Sequence, residues 1–235
     1  MALRSNITHP RTPEMVAIGT DHPVYFEKKP AMRGWLHMCF APIVFIAGIV
    51  LVSLAHGSAQ KLACSIFALT GVILFGMSGA YHRSYWPEKT RMLLKRADHA
   101  NIALVIAGTY TPIAICLLEG NSQKFLLWFI WICAAAVVFF RIIWTHAPRW
   151  LYTGTYIIMG LTAVVYLGQF WEVSPVPTIL IAAGGAAYII GAVFYAMEKP
   201  NLFPTVFGFH ELFHACTVIG FTLHFIAVMF SIFIA

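Results

Sequence analysis

The sequence predicts an all-α integral membrane protein: one bundle of seven transmembrane helices. Three observations carry that prediction. The chain is 60% hydrophobic and only 10% charged, with a mean hydropathy of +0.79, whereas a soluble domain carries roughly 25% charged residues. Its apolar residues fall in runs of about 20, the length that crosses a hydrocarbon core as a helix. Its 15 Lys and Arg residues collect in the short segments between those runs, as topology signals do. That placement also removes nucleic acid as a partner, despite the formal net charge of +6.

Taken in order, residues 1–33 read as a cytoplasmic N-terminal tail. Pro10, Pro13, Pro23 and Pro30 interrupt it, and it lacks the apolar core of a signal peptide, so it is expected to be retained and mostly irregular. Residues 34–235 form the transmembrane domain. The seven runs cover residues 35–55, 62–82, 98–118, 125–144, 151–171, 178–197 and 209–234, with short connections. No internal duplication is evident, which weakens a transporter built from repeated halves. Pro112 should kink the third span, because proline removes a helix hydrogen bond. Ala183, Ala187 and Gly191 make a small-residue stripe on the sixth, suited to close helix packing. Trp35, Trp86, Trp128, Trp144, Trp150 and Trp171 sit near the predicted interfaces, as an aromatic belt requires. Cys39, Cys64, Cys116, Cys133 and Cys216 lie inside apolar runs without a C-x-x-C pair and read as buried apolar residues.

Orientation follows from the cations. Arg4, Arg11, Lys28, Lys29 and Arg33 precede the first span. Arg83, Lys89, Arg91, Lys95 and Arg96 follow the second. Arg141 and Arg149 flank the turn between the fourth and fifth, and Lys199 follows the sixth. Only Lys61 and Lys124 lie on the opposite side. This bias puts the N-terminus in the cytoplasm and the C-terminus outside, in the cell inner (plasma) membrane. The run from Arg83 to Arg96 suits anionic headgroups, but setting topology explains it more simply.

Ionisable residues inside a bilayer are costly and therefore point to function. His210 and His214 are four apart on a helix and face one side, where one metal ion can bind both. With Glu211 between them they spell H-E-x-x-H, a metalloprotease motif. No further zincin signature follows, and Glu211 suits the start of the seventh helix, where the macrodipole favours negative charge. Ser78 and His82 share a face of the second span, and Asp98, one of two aspartates, begins the third. On the topology above, His82, Asp98, His210 and His214 lie at one depth, near the inner leaflet boundary. Three imidazoles with an open position make a catalytic type of zinc site. Asp98 is placed to act as general base and the Ser78 hydroxyl to stabilise an oxyanion. His99 points about 100° away from Asp98 and reads as packing or as support for the site. His37, His56, His146 and His224 read as interfacial or core, and His9 and His22 belong to the tail.

Ser78-Gly79-Ala80-Tyr81-His82, Asp98-His99, Gly108-Thr109-Tyr110-Thr111-Pro112 and His210-Glu211-Leu212-Phe213-His214 resemble the hemolysin III family. That family is the bacterial branch of the progestin and adipoQ (adiponectin) receptors, in a superfamily that includes alkaline ceramidases. The resemblance runs from the first span to the C-terminus and fills all five signature positions. It implies seven helices with a cytoplasmic N-terminus. It also implies zinc held by His82, His210 and His214, with Asp98 reaching the metal through water and Ser78 nearby.

Three functions remain open from the sequence. The first is a zinc-dependent hydrolase cutting a lipid amide or ester, ceramidase-like by resemblance and acting in membrane lipid homeostasis. The second is a receptor-like lipid sensor whose zinc is structural. The third is a pore-forming hemolysin, although no span shows a continuous polar stripe. Membrane lipids are the expected partners, with a lipid or fatty acid as ligand within the bundle.

Overall fold

A computed structural model describes residues 14–16, 24–26, 29–144 and 147–235. His9, His22, His146, Arg4, Arg11 and Lys28 lie outside the described residues. The described chain forms helices α1 (Trp35–Leu54), α2 (Gly57–Arg83), α3 (Glu88–Leu117), α4 (Gly120–Ile143), α5 (Arg149–Leu161), α6 (Leu167–Val173), α7 (Pro175–Met197) and α8 (Phe209–Ile234). With α5 and α6 counted as one span, seven stretches are long and apolar enough to cross a membrane. The tail is not wholly irregular. Strands β1 (Glu14–Val16) and β2 (Val24–Phe26) pair antiparallel, with Met15 opposite Tyr25.

The third span is the axis of the bundle. In its most apolar stretch 78% of residues are buried, against 50% or less in every other span. It packs against α2, α4, α5, α6 and α8, while α1 lies across α2 and α8, and α7 lies along α8. Phe67 and Phe75 of α2 close on Phe221 of α8, one ring stacked and the other edge-on. The outward surface is the reverse of a soluble protein's. Trp128, Trp150 and Trp171 are exposed, as the belt requires, and so are many aliphatic side chains. All five cysteines are free.

Three local expectations need correction. Asp98 does not begin the third helix, because α3 starts at Glu88 and Asp98 lies about three turns inside it. The stretch before Asp98 is too polar to register as a span, yet Glu, Lys, Arg, Met and Leu are good helix formers, and Glu88 pairs with Arg91 one turn on. The fifth span is not one continuous α-helix, because residues Thr162–Tyr166 wind as a 3-10 helix. Its cause is Tyr110 of α3, whose hydroxyl accepts a hydrogen bond from the Ala163 amide at 2.7 Å and donates to the Gly160 carbonyl at 2.6 Å. A side chain inserted into the i→i−4 ladder breaks its regularity. The close face of α7 is set by Gly184 and Gly191, two turns apart and buried against α8, whereas Ala183 is exposed. α3 continues through Pro112.

The start of α1 is clamped to α2 by two glycines. Gly34 has φ +80°, and a Cβ there would lie 2.8 Å from the Arg83 backbone nitrogen. A Cβ on Gly79 would lie 2.8 Å from the Met38 Cα. Backbone atoms cannot swing aside as side chains can. Gly79→Val should therefore destabilise the purified protein by about 1–3 kcal/mol, the usual cost of overpacking, seen as a lower melting temperature by intrinsic fluorescence.

Candidate metal centre

The segment 29–33 and the connections α2–α3, α4–α5 and α7–α8 meet at one end of the bundle, the end that carries most of the cations. Here α2 ends with His82 in its last turn, α8 begins with His210 and His214 in its first two turns, and α3 brings in Asp98. The i, i+4 spacing of the α8 pair turns both rings toward α2. His82 Nε2 lies 3.3 Å from His210 Nε2 and 3.4 Å from Asp98 Oδ2. Ligand atoms of His82, His210 and His214 all lie within 4.8 Å of one another. The helix ends thus assemble every sequence-predicted site residue. Ser78, one turn below His82, is buried and lines the same cavity as Asp98 and the three histidines.

The residues fit a metal ion. Tetrahedral zinc with nitrogen ligands at about 2.0–2.1 Å holds those nitrogens roughly 3.3–3.4 Å apart, which is the separation seen between His82 and His210. Two imidazole nitrogens aimed at each other in an apolar interior need either one shared proton or one shared cation. The neighbouring third imidazole and carboxylate favour the cation. The cluster could hold one metal ion with three imidazoles, leaving a position open beside Asp98.

Supporting contacts hold this arrangement. Glu211 has nothing to do with an open metal position. It accepts a hydrogen bond from the Gly208 amide at 2.8 Å, capping α8 as expected, and its other oxygen takes an ion pair from Arg33. Lys29 donates to the carbonyls of His82 and Ser84 at the end of α2, at 3.1 and 2.9 Å. Burial and the nearby Arg33, Arg83 and Arg91 hold its ammonium below the ordinary lysine value. Ala31 and Met32 donate to the carbonyls of Thr205 and Val206 in the α7–α8 connection. Residues 29–33 are therefore a strap across the two helix ends that supply the histidines. His99 is buried, with Nδ1 2.7 Å from the Lys95 carbonyl and 4.0 Å from Asp98 Oδ2, in keeping with a supporting part.

Two features escaped the sequence reading. His37, expected to be interfacial or core, is stacked on His214 with ring centroids 3.8 Å apart and planes 7° from parallel. It is 2% exposed, and both its nitrogens lack hydrogen-bond partners. Matching depth, the test that linked the other four residues, would have found it, since it opens the first span at the same end. Tyr195 packs against His210, and its hydroxyl meets that of Tyr152 at 3.2 Å. The buried Arg141 guanidinium lies 4.2 Å over the Tyr152 ring, a cation–π contact. No sequence motif marks these tyrosines.

Below the cluster opens a cavity of about 320 Å³ between α3, the fifth span, α7 and α8. Ile102, Val105, Ile106 and Ile113 of α3 furnish one apolar wall. Val164, Ala182 and Ala186 line it and are also exposed on the flank, so the wall between the fifth and sixth spans borders lipid.

Fold and site together define a multi-pass membrane protein with a histidine cluster at one end of a seven-helix bundle and an apolar cavity beneath it. The profile of the family described as "Haemolysin-III related" matches residues 26–225, and the chain belongs to that family. It is 31% identical to Hemolysin-3 of Bacillus cereus over 179 residues, 75% of this chain and 78% of that protein. It is 27% identical to the Hemolysin-3 homolog of Bacillus subtilis (strain 168) over 184 residues, 77% and 83% of the two chains. Family membership and the seven apolar helices agree with a multi-pass protein of the plasma membrane.

Metal analysis of protein purified without chelator should find about one ion per chain, the complement of a single three-imidazole site. His82→Ala, His210→Ala and His214→Ala should each strip most of it, while His37→Phe, which preserves the stacked ring, should retain it.

Proposed function

We propose that this protein is a zinc-dependent lipid hydrolase that cuts an amide or ester bond, with the ceramide-type amide as the leading substrate class. One observation carries the reading: three imidazoles and a carboxylate stand at the head of an apolar cavity that borders lipid. That cavity accommodates an acyl chain and brings the carbonyl next to it up to the histidines. Zinc, when bound, supplies a Lewis acid and makes hydroxide available near neutral pH.

The chain's own residues account for the rest. His82, His210 and His214 hold the ion, their rings braced by the His37 stack and the Tyr195 contact. Asp98 stands 3.4 Å from the His82 nitrogen that faces the site, where it takes a proton from the attacking water and passes it to the leaving group. Ser78, buried on the same face as His82, offers a hydroxyl to the developing oxyanion. The cavity walls exclude bulk water and hold the acyl chain in register with the cluster. Placement among the progestin and adipoQ receptor relatives belongs to this proposal, as does a cytoplasmic basic end. On that orientation the reaction faces the inner leaflet and serves membrane lipid homeostasis.

A second reading, a lipid sensor with a structural zinc, draws on the strap. Arg33 and Lys29 tie the tail to the ends of α8 and α2, so a change at the histidines reaches the tail through two contacts. A metal clip across helices stabilises a bundle whether or not it turns over. The pore reading, which the relatives' name Hemolysin-3 suggests, draws less support. The cavity is polar chiefly at its metal end and apolar along its length.

The discriminating experiment incubates zinc-loaded protein in nanodiscs with ceramides, phospholipids and acyl esters and follows free fatty acid by mass spectrometry. Hydrolysis is expected, and Asp98→Asn should lower it by roughly 10²–10⁴-fold, the worth of a general base, with the metal retained. Metal-loaded protein that releases no fatty acid from any of these lipids, yet is destabilised by chelation, would establish the sensor instead.

A further inference from the structure

The strap that crosses the histidine end encloses a second, polar hollow of about 80 Å³. Residues 29–31 and Arg33 form one wall, and His82, Arg83 and Tyr85 at the end of α2 form the other. Three of these side chains are cations, Lys29, Arg33 and Arg83, and none of the described lining residues is acidic. Glu211, the carboxylate paired with Arg33, is 1% exposed and does not line the hollow.

Contacts between the strap and α2 gather the three cations. The Lys29 ammonium lies 3.1 and 2.9 Å from the carbonyl oxygens of His82 and Ser84, which flank Arg83 in the chain. The backbone just after Arg33 presses on that of Arg83, where a Cβ on Gly34 would lie 2.8 Å from the Arg83 nitrogen. Each cation is also fixed by a further neighbour. Lys29 sits 4.7 Å over the Tyr85 ring, Arg33 gives its Nε–H to Glu211, and Arg83 lies 4.8 Å over the Trp35 ring. Donors remain after these contacts. Among the described residues, two of the three Lys29 hydrogens go to carbonyls, and Glu211 takes one of the five on Arg33. The groups are also within reach of a ligand, since Arg33 keeps 21% of its side chain exposed and Arg83 is exposed.

Setting topology needs none of this. A topology signal works by the number of cations on one side, and cations free to splay into water would avoid one another. Here like charges are held around one space, where their repulsion is costly at short range. An anion in the hollow turns that repulsion into attraction. Arginine's terminal nitrogens meet phosphate oxygens in pairs, and lysine serves as a point charge. A carboxylate, with two oxygens and one charge, is the complement of a single guanidinium, whereas a phosphate group has oxygens enough for three cations. The volume is that of a few water molecules, which suits one phosphate group. Trp35, beneath Arg83, is 39% exposed and belongs to the aromatic belt, which sets the hollow at headgroup depth.

We infer that Lys29, Arg33 and Arg83 form a phosphate site whose occupant locks the strap to the end of α2. At this depth the phosphate is that of an anionic lipid headgroup or a free ion from the adjoining water. The inference depends on neither a metal nor hydrolysis.

The test follows the melting temperature of the purified full chain in detergent by intrinsic fluorescence. Sodium phosphate is titrated against sodium chloride of equal ionic strength and, separately, phosphatidylglycerol against phosphatidylcholine. A saturable rise is expected. A rise with phosphatidylglycerol alone assigns the headgroup, and a rise with inorganic phosphate assigns the free ion. Arg83→Gln should increase the half-saturating concentration about tenfold, as loss of one charge-assisted hydrogen bond would. Lys89→Gln, the same loss of charge outside the hollow, should leave it within about twofold, as a screened surface charge would. Arg83→Lys keeps the charge without the fork and should fall between the two. Three results would overturn the inference: no saturable rise with either titrant, a rise that chloride and phosphatidylcholine reproduce, or a rise that Arg83→Gln weakens no more than Lys89→Gln does.

Discussion

A bilayer interior lends no water to a polar group, and this one constraint shapes the whole molecule. It forces each span to satisfy its backbone internally, which is why the chain is helical wherever it is apolar. It also makes a polar side chain in the interior costly unless it finds a partner. His82, Asp98, His210 and His214 come from three helices and lie within hydrogen-bonding or metal-ligand reach of one another. Each alone in lipid would be a liability. Together they form a cluster that could hold a cation, and the glycine contacts of Gly34 and Gly79 bring α1 and His37 against it.

The strap of residues 29–33 shows the same constraint at the bundle's end. The last carbonyls of α2 and the first amides of α8 have no partners within their own helices. Lys29 donates to the His82 carbonyl of the first, Asn201 accepts from the Phe209 amide of the second, and Glu211 accepts from the Gly208 amide just before it. Arg33 then neutralises Glu211 where an uncompensated carboxylate would be costly. The residue that makes the H-E-x-x-H string look like a protease is thus engaged in holding the helix that presents the histidines. Its place between them reflects the geometry of a helix start rather than proton chemistry.

Much of this was legible in the sequence because it depends on patterns of one-dimensional order. Seven apolar runs mark seven spans, and i, i+4 spacing marks which side chains share a face. Residues that head or end neighbouring spans share a depth, which brought His82, Asp98 and the α8 pair together on paper. What escaped depends on contact between distant segments. The three additional turns of α3 lie in polar sequence, where hydropathy is silent but helix propensity is not. The break in the fifth span is caused by Tyr110, about fifty residues earlier in the chain. The α7–α8 face could have been drawn through Ala183 or through Gly184, one residue apart, and only the partner helix decides between them. His37 shares the depth of the cluster, but its stack on the His214 ring is a contact between distant segments.

The Tyr110 joint has a consequence for how this chain tolerates change. At the middle of the fifth span one backbone amide is completed by a phenol from another helix, so the two positions are a single unit. Loss of the phenol strands the Ala163 amide in hydrocarbon. The cavity wall they share is therefore held as one joint.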